Sequence, residues 1–159
     1  MKQALKKLGD NNLLVAYGMS DHLSFMGDAY KGPLENYGNS IDSIVKVQQK
    51  HNIALVTHNL EHMLEGIPTN RISEAAASGA LIIADDHPFI RKIFGDSVLY
   101  FNSLGNYEQI FNEIKDHIEW ARANPEMARF KAFEAYKIFD NSLRMEIQLY
   151  ELIGQLSKK

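Results

Sequence analysis

With 159 residues, 45% of them hydrophobic, the chain has the size and apolar content of one globular domain that can bury its own core. It has no cysteine, which excludes disulfides and thiolate metal sites, and its net charge of −3, with both signs interspersed, argues against a nucleic-acid partner. No apolar run nears the roughly 20 residues of a membrane-spanning helix. The opening MKQALKKLGDNN lacks the apolar core of a secretory signal, so a cytoplasmic protein is expected, with peripheral contact at the inner membrane face left open.

In chain order, Lys2 to Leu8 reads as a short helix stopped by Gly9. Leu13 to Tyr17 is an apolar run between Asn11-Asn12 and Gly18 and reads as a strand. Tyr30 to Leu34 is a weaker strand, because Gly32 and Pro33 favour an edge. Asn39 or Ser40 can cap a helix that carries Ile41, Ile44 and Val45 at helical spacing. Ile53 to Thr57 is a clear strand, and 58–70 reads as a loop.

The stretch from Gly66 to Asp86, GIPTNRISEAAASGALIIADD, organises the chain. Thr69 or Asn70 can cap a helix with a side-chain oxygen, the Ala-rich run after Glu74 propagates it, and Gly79 is a left-handed stop. Ala80 to Ala84 then reads as a strand buried on both faces. Further on, Pro88 to Phe94 suggests a helix and Ser97 to Phe101 a last strand. Asn106 with Gln109 resembles a capping box ahead of a stripe from Tyr107 to Ile118. Asn124-Pro125 is expected to cap and start another helix, in which Phe130 and Phe133 pack, and Asn141-Ser142 to cap the last one.

Helix and strand alternate over 38–84, which argues for a parallel α/β sheet with right-handed crossovers. The expected fold class is α/β, a Rossmann-like sheet of about five strands over 1–101 with trailing helices over 102–159, all in one domain. In such sheets ligands gather at the carboxyl ends of the strands. The helix opening near Asn70 has unpartnered amides carrying partial positive charge, an anion site. Arg71, disfavoured in a first turn by the helix dipole, gains a partner if a phosphate binds. Glu74, about one turn on, can accept bonds from a sugar hydroxyl. The pair suits a nucleoside diphosphate; the plainer alternative is a solvated Arg71 and a Glu74 that simply favours the helix start.

The segment GIPTNRISEAAASGALIIADDHPFIRKIFG resembles the nucleotide-sugar-binding half of GT-B glycosyltransferases, of the group-1 type that includes spore-coat CgeB-like proteins. The resemblance runs from about Ile41 to Phe101. It implies donor-diphosphate contacts at Thr69, Asn70 and Arg71, and a ribose contact at Glu74. Many group-1 members carry a second glutamate upstream, with seven residues between the two; here that position is Gly66, with Glu65 one place away. Gly66 stands at the place of that glutamate's donor-sugar contact; His58, at the sheet's carboxyl edge, could face the donor sugar or be a solvated loop histidine; no catalytic residue is assigned. The likeness further implies a retaining, metal-independent transfer from a nucleoside-diphosphate sugar in surface polysaccharide or glycoconjugate synthesis, without cofactor. Because such enzymes bind the acceptor in a separate N-terminal domain, the chain is expected to be the donor half alone, inactive without that domain or a partner subunit. A non-catalytic nucleotide-binding scaffold is the alternative.

Two other constellations compete. His58-Asn59-Leu60-Glu61-His62 spells the inverted zinc-peptidase pattern, in which His58 and His62 on one helix face would hold zinc, Glu61 would act as base and Glu134 would be a third ligand. Its place directly behind a strand favours a loop instead. Asp85-Asp86-His87 could hold a metal, but Asp86 is expected to cap the helix containing Pro88.

Overall fold

A computed structural model describes residues 1–34 and 41–157. The described elements are α1 (Lys2–Asp10), α2 (Ser20–Leu23), α3 (Ile41–His51), β1 (Ile53–Val56), α4 (Leu60–Glu65), α5 (Arg71–Ser78), β2 (Leu81–Asp85), α6 (Pro88–Phe94), β3 (Leu99–Phe101), α7 (Tyr107–Ala123), α8 (Pro125–Ile138) and α9 (Met145–Leu156). The caps expected at Asn39 and Ser40 lie outside the described residues.

The protein is α/β, with a three-stranded sheet in the order β1-β2-β3 among the described residues. Both pairings are parallel, with Val56 opposite Ala84 and Asp85 opposite Phe101. This is consistent with a Rossmann-like fold, though the sheet is smaller than the expected five strands. The apolar run at 13–17 and the segment at 30–34 make only one isolated parallel bridge, Ala16 with Tyr30. Gly18 and Gly32 have positive φ beside that bridge, which breaks the extended backbone a longer ladder needs.

All five residues of β2 are buried, as expected for a central parallel strand. Ile82 and Ala84 face α5, α6 and α8, packing with Ile72, Ala75, Ala76, Ile90, Phe94 and Ala135. Ile83 turns to the other face, where Phe101 meets Leu8 of α1 and Ile110, Ile114 and Ile118 of α7. At the amino ends of the strands, Leu81 contacts Ala121 and Ala132, so the corner between α7 and α8 closes the core. The period of two along β2 thus builds a layer of helices on each face.

Local signals explain most boundaries. The capping box of α7 is present, with each of Asn106 and Gln109 accepting from the other's backbone N–H at 3.0 Å. Gly79 ends α5 in the left-handed conformation, φ 70°. The caps expected for α5, α8 and α9 are not made. Neither Asn70 nor Asn124 caps through its side chain, and the Asn124 amide instead donates back to the Trp120 carbonyl. The N-cap of α9 is Arg144, because a π-helical turn takes up 139–143, including Asn141 and Ser142. Phe130 and Phe133, expected to pack, are each 56% exposed, since α8 meets the core through Ala132 and Ala135 instead.

Candidate functional site

The carboxyl ends of β1 and β2 bring together three buried ionisable side chains, His58, Asp85 and His87. Asp85 closes β2, and His58 follows β1 by two residues. The parallel register therefore sets them side by side. His58 Nδ1 lies 2.7 Å from Asp85 Oδ1, and the His58 backbone N–H donates to Asp85 Oδ2, also at 2.7 Å. Both side chains are fully buried, 0% exposed. The other ring nitrogen, Nε2, accepts the Thr69 backbone N–H at 3.0 Å. A backbone N–H can only donate, so Nε2 is the lone-pair nitrogen and Nδ1 carries the proton given to Asp85.

His87 stacks on His58 with ring centroids 4.3 Å apart. Its Nδ1 accepts the Phe89 N–H, capping α6, and its Nε2 lies 3.3 Å from the His62 carbonyl. His87 is therefore the cap expected of Asp86. Asp86 instead turns outward to Arg91 at 2.6 Å, in an exposed pair. Arg91 lies over the Tyr100 ring, 3.9 Å from its centroid. Burial, with help from Asp86 and Asp96 and against the pull of Arg91, pushes the Tyr100 phenol up to about 12.

The segment 58–70, expected as a loop, contains α4. Asn59 caps it by accepting the His62 N–H, and Gly66 ends it at φ 67°. His58 therefore stands outside the helix, with both ring nitrogens engaged by protein. The spacing that would let His58 and His62 share a metal is lost, and no group of three metal-ligating side chains forms among the described residues. His58 likewise offers a sugar neither exposed ring surface nor a free nitrogen. Gly66 is spent on the left-handed end of α4.

The start of α5 lies at the same edge of the sheet. The Thr69 amide is taken by His58, and the Thr69 and Asn70 carbonyls accept the Ile72 and Glu74 amides at 3.2 and 3.1 Å. The amides of Asn70, Arg71 and Ser73 have no acceptor among the described residues. Arg71 is exposed and Glu74 half-buried. Burial raises the Glu74 carboxyl above its ordinary value, while Arg71 pulls it back. Both line a cavity of 1090 Å3 along the edge of β1 that pairs with no strand among the described residues, together with Thr57, Gln48, His51 and Tyr17. Tyr17 Oη and His51 Nε2 meet there at 3.1 Å, and burial, followed by Lys50, lowers the His51 pKa. An arginine, a carboxylate and unpartnered helix-start amides beside a roomy cleft can hold an anion and an adjoining hydroxylated group.

A family model described as glycosyl transferase-like matches residues 3–146. The chain belongs to this glycosyl transferase-like family. It is accordingly a transferase with a general role in glycosyl transfer. The match takes in α1 through α8, and with them both helix layers and the whole described sheet; α9 lies almost entirely outside it. No curated protein and no solved structure matches the chain. No helix among the described residues is long and apolar enough to cross a membrane.

The sequence reading missed the buried pairing of His58 with Asp85. A signal was present: a polar residue just past the end of one parallel strand and another closing the next are brought together by the register.

Proposed function

We infer that this chain binds the donor of a glycosyl transfer, a nucleoside-diphosphate sugar, at the opening of α5. The observation that carries the reading is that Arg71 and Glu74, one turn apart, line one cavity along the edge of β1 in a glycosyl transferase-like chain, and that α5 opens beside the carboxyl end of that strand. The diphosphate would take the Asn70 and Arg71 amides and the Arg71 guanidinium, with Thr69 contributing through its hydroxyl. The ribose would bond Glu74. Transfer breaks the bond between the anomeric carbon and the diphosphate oxygen, and forms one from that carbon to an acceptor hydroxyl, which loses its proton. Charge grows on the departing diphosphate, and the amides and Arg71 would stabilise it there.

The acceptor would be held by another domain or a partner subunit, and retention at the anomeric carbon and a role in polysaccharide or glycoconjugate synthesis belong to the same proposal. A thermal-shift screen of nucleoside diphosphates and nucleotide sugars tests it. A ligand at a hundred times its Kd stabilises by about 2.7 kcal/mol, which for a chain of this size raises Tm by roughly 5–10 °C. Glu74→Ala should weaken uridine or guanosine diphosphate binding by about 1–3 kcal/mol in calorimetry. A screen with no shift, or unchanged affinity in that variant, overturns the assignment. Binding without transfer when an acceptor-binding partner is supplied would favour the scaffold alternative.

A further inference from the structure

We propose that His58 is a positioning residue for the donor loop: its Nε2 holds the Thr69 amide and so sets where α5 presents its first turn, while Asp85 fixes the tautomer that makes this bond possible. This rests on the donor reading for its functional consequence, but the tether itself does not.

The ring of His58 joins three separate parts of the chain. Asp85 at the end of β2 holds Nδ1 and the His58 backbone, Thr69 ahead of α5 is held by Nε2, and His87 ahead of α6 covers the ring face. Apart from His58 itself, Asp85 and His87 are the titratable side chains in direct contact with the ring among the described residues. If Nδ1 gave its proton to Nε2, the ring would face the Thr69 N–H donor to donor. Asp85 prevents this, because its carboxylate requires the proton on Nδ1.

A buried carboxylate and two buried imidazoles are a costly way to gain stability, since apolar residues of similar volume often serve as well or better. What such a network supplies is one fixed geometry, as every member is satisfied by a directional partner. Its outer end is the backbone of the residue just before the proposed phosphate contacts Asn70 and Arg71. An error of about 1 Å in such a contact is enough to lose most of its value.

Two substitutions separate tethering from packing. Asparagine places an amide near Nδ1, keeping a donor for Asp85 and losing the acceptor for Thr69. Glutamine places its oxygen near Nε2, keeping that acceptor. We expect His58→Asn to speed hydrogen exchange of the Thr69 amide and to weaken uridine diphosphate binding, each about tenfold or more. His58→Gln should stay within about threefold of wild type in both, even if it melts lower. In the wild type, with no variant needed, the Thr69 amide should exchange about tenfold more slowly than those of Asn70 and Arg71.

The positioning role is overturned if His58→Asn binds uridine diphosphate as wild type does, if the two variants lose affinity together in step with their melting temperatures, or if the wild-type Thr69 amide is no better protected than its neighbours. Exchange is measured without nucleotide, so the two readings fail separately. A wild type that binds neither uridine nor guanosine diphosphate while the exchange contrast holds sinks the donor reading and leaves the tether standing.

Discussion

Glu74, the proposed ribose contact, shows how a group placed for binding would work against the fold that carries it. Burial raises its pKa from the ordinary 4.5, with Arg71 opposing, so the folded state favours the protonated form. The contribution to stability is therefore complete below about pH 4.5 and is lost as pH rises through the raised value. At neutral pH the ionised carboxylate is a small cost that a hydroxyl donor would relieve. Glu74→Gln should melt at or slightly above wild type at pH 7, by no more than about 0.5 kcal/mol after solvent screening of a half-exposed group. Its advantage should vanish near pH 4, and urea unfolding at the two pH values measures both. Tyr100 titrates at the other end of the scale. With its phenol pushed up to about 12, its stabilising effect is intact below pH 10 and fades as pH rises from there. Tyr100→Phe should flatten that alkaline loss. It should also cost about 1 kcal/mol at pH 7, because the hydroxyl's 2.9 Å bond to the Gly95 carbonyl is gone.

At the scale of elements, what the sequence made legible was whatever depends on neighbours within one turn. The apolar runs of β1 and β2, the small-residue body of α5 with Gly79 behind it, and the Asn106–Gln109 box were all readable because their causes are local. The helix α4 was not, since six residues give less than two turns of periodicity and Leu60 and Leu64 lie exposed instead of forming a buried stripe. Capping was legible by residue type only. Asn106 and Asn124 look alike in sequence, yet one side chain accepts from the first turn of α7 while the other donates to the end of the same helix. That contrast is measurable. Asn106→Ala should cost about 1 kcal/mol through the lost cap, and Asn124→Ala distinctly less, because its own backbone N–H still holds the Trp120 carbonyl, in paired urea titrations. Equal losses would mean that the box does not govern the start of α7.

The whole molecule depends on contacts between distant residues, and there the sequence was a poorer guide. Apolar character at 13–17 suggested another strand, but glycines with positive φ flank the bridge at Ala16 and Tyr30, and sheet membership is decided by pairing, not by hydrophobicity. Aromatic stripes suggested packing along the last two helices, yet α8 turns alanines inward. In α9 no described residue is buried, and Tyr150 is 77% exposed. Meanwhile Ile138, Phe139 and Leu143, just upstream, lie against the core. The family match also stops at residue 146, where α9 begins. Stability should then divide sharply at Arg144. A chain stopped after Arg144 keeps every side chain buried among the described residues and should lose less than about 1 kcal/mol, lowering Tm by under about 4 °C. It should also bind less of an apolar dye, since Met145, Leu149, Leu152 and Leu156 leave with α9. A chain stopped before Pro125 removes Ala132 and Ala135 from the core and uncovers Leu81, and should not unfold cooperatively at all. If the shorter cut, after Arg144, alone abolishes cooperative unfolding, α9 is part of the fold's core in solution and the division at Arg144 is wrong.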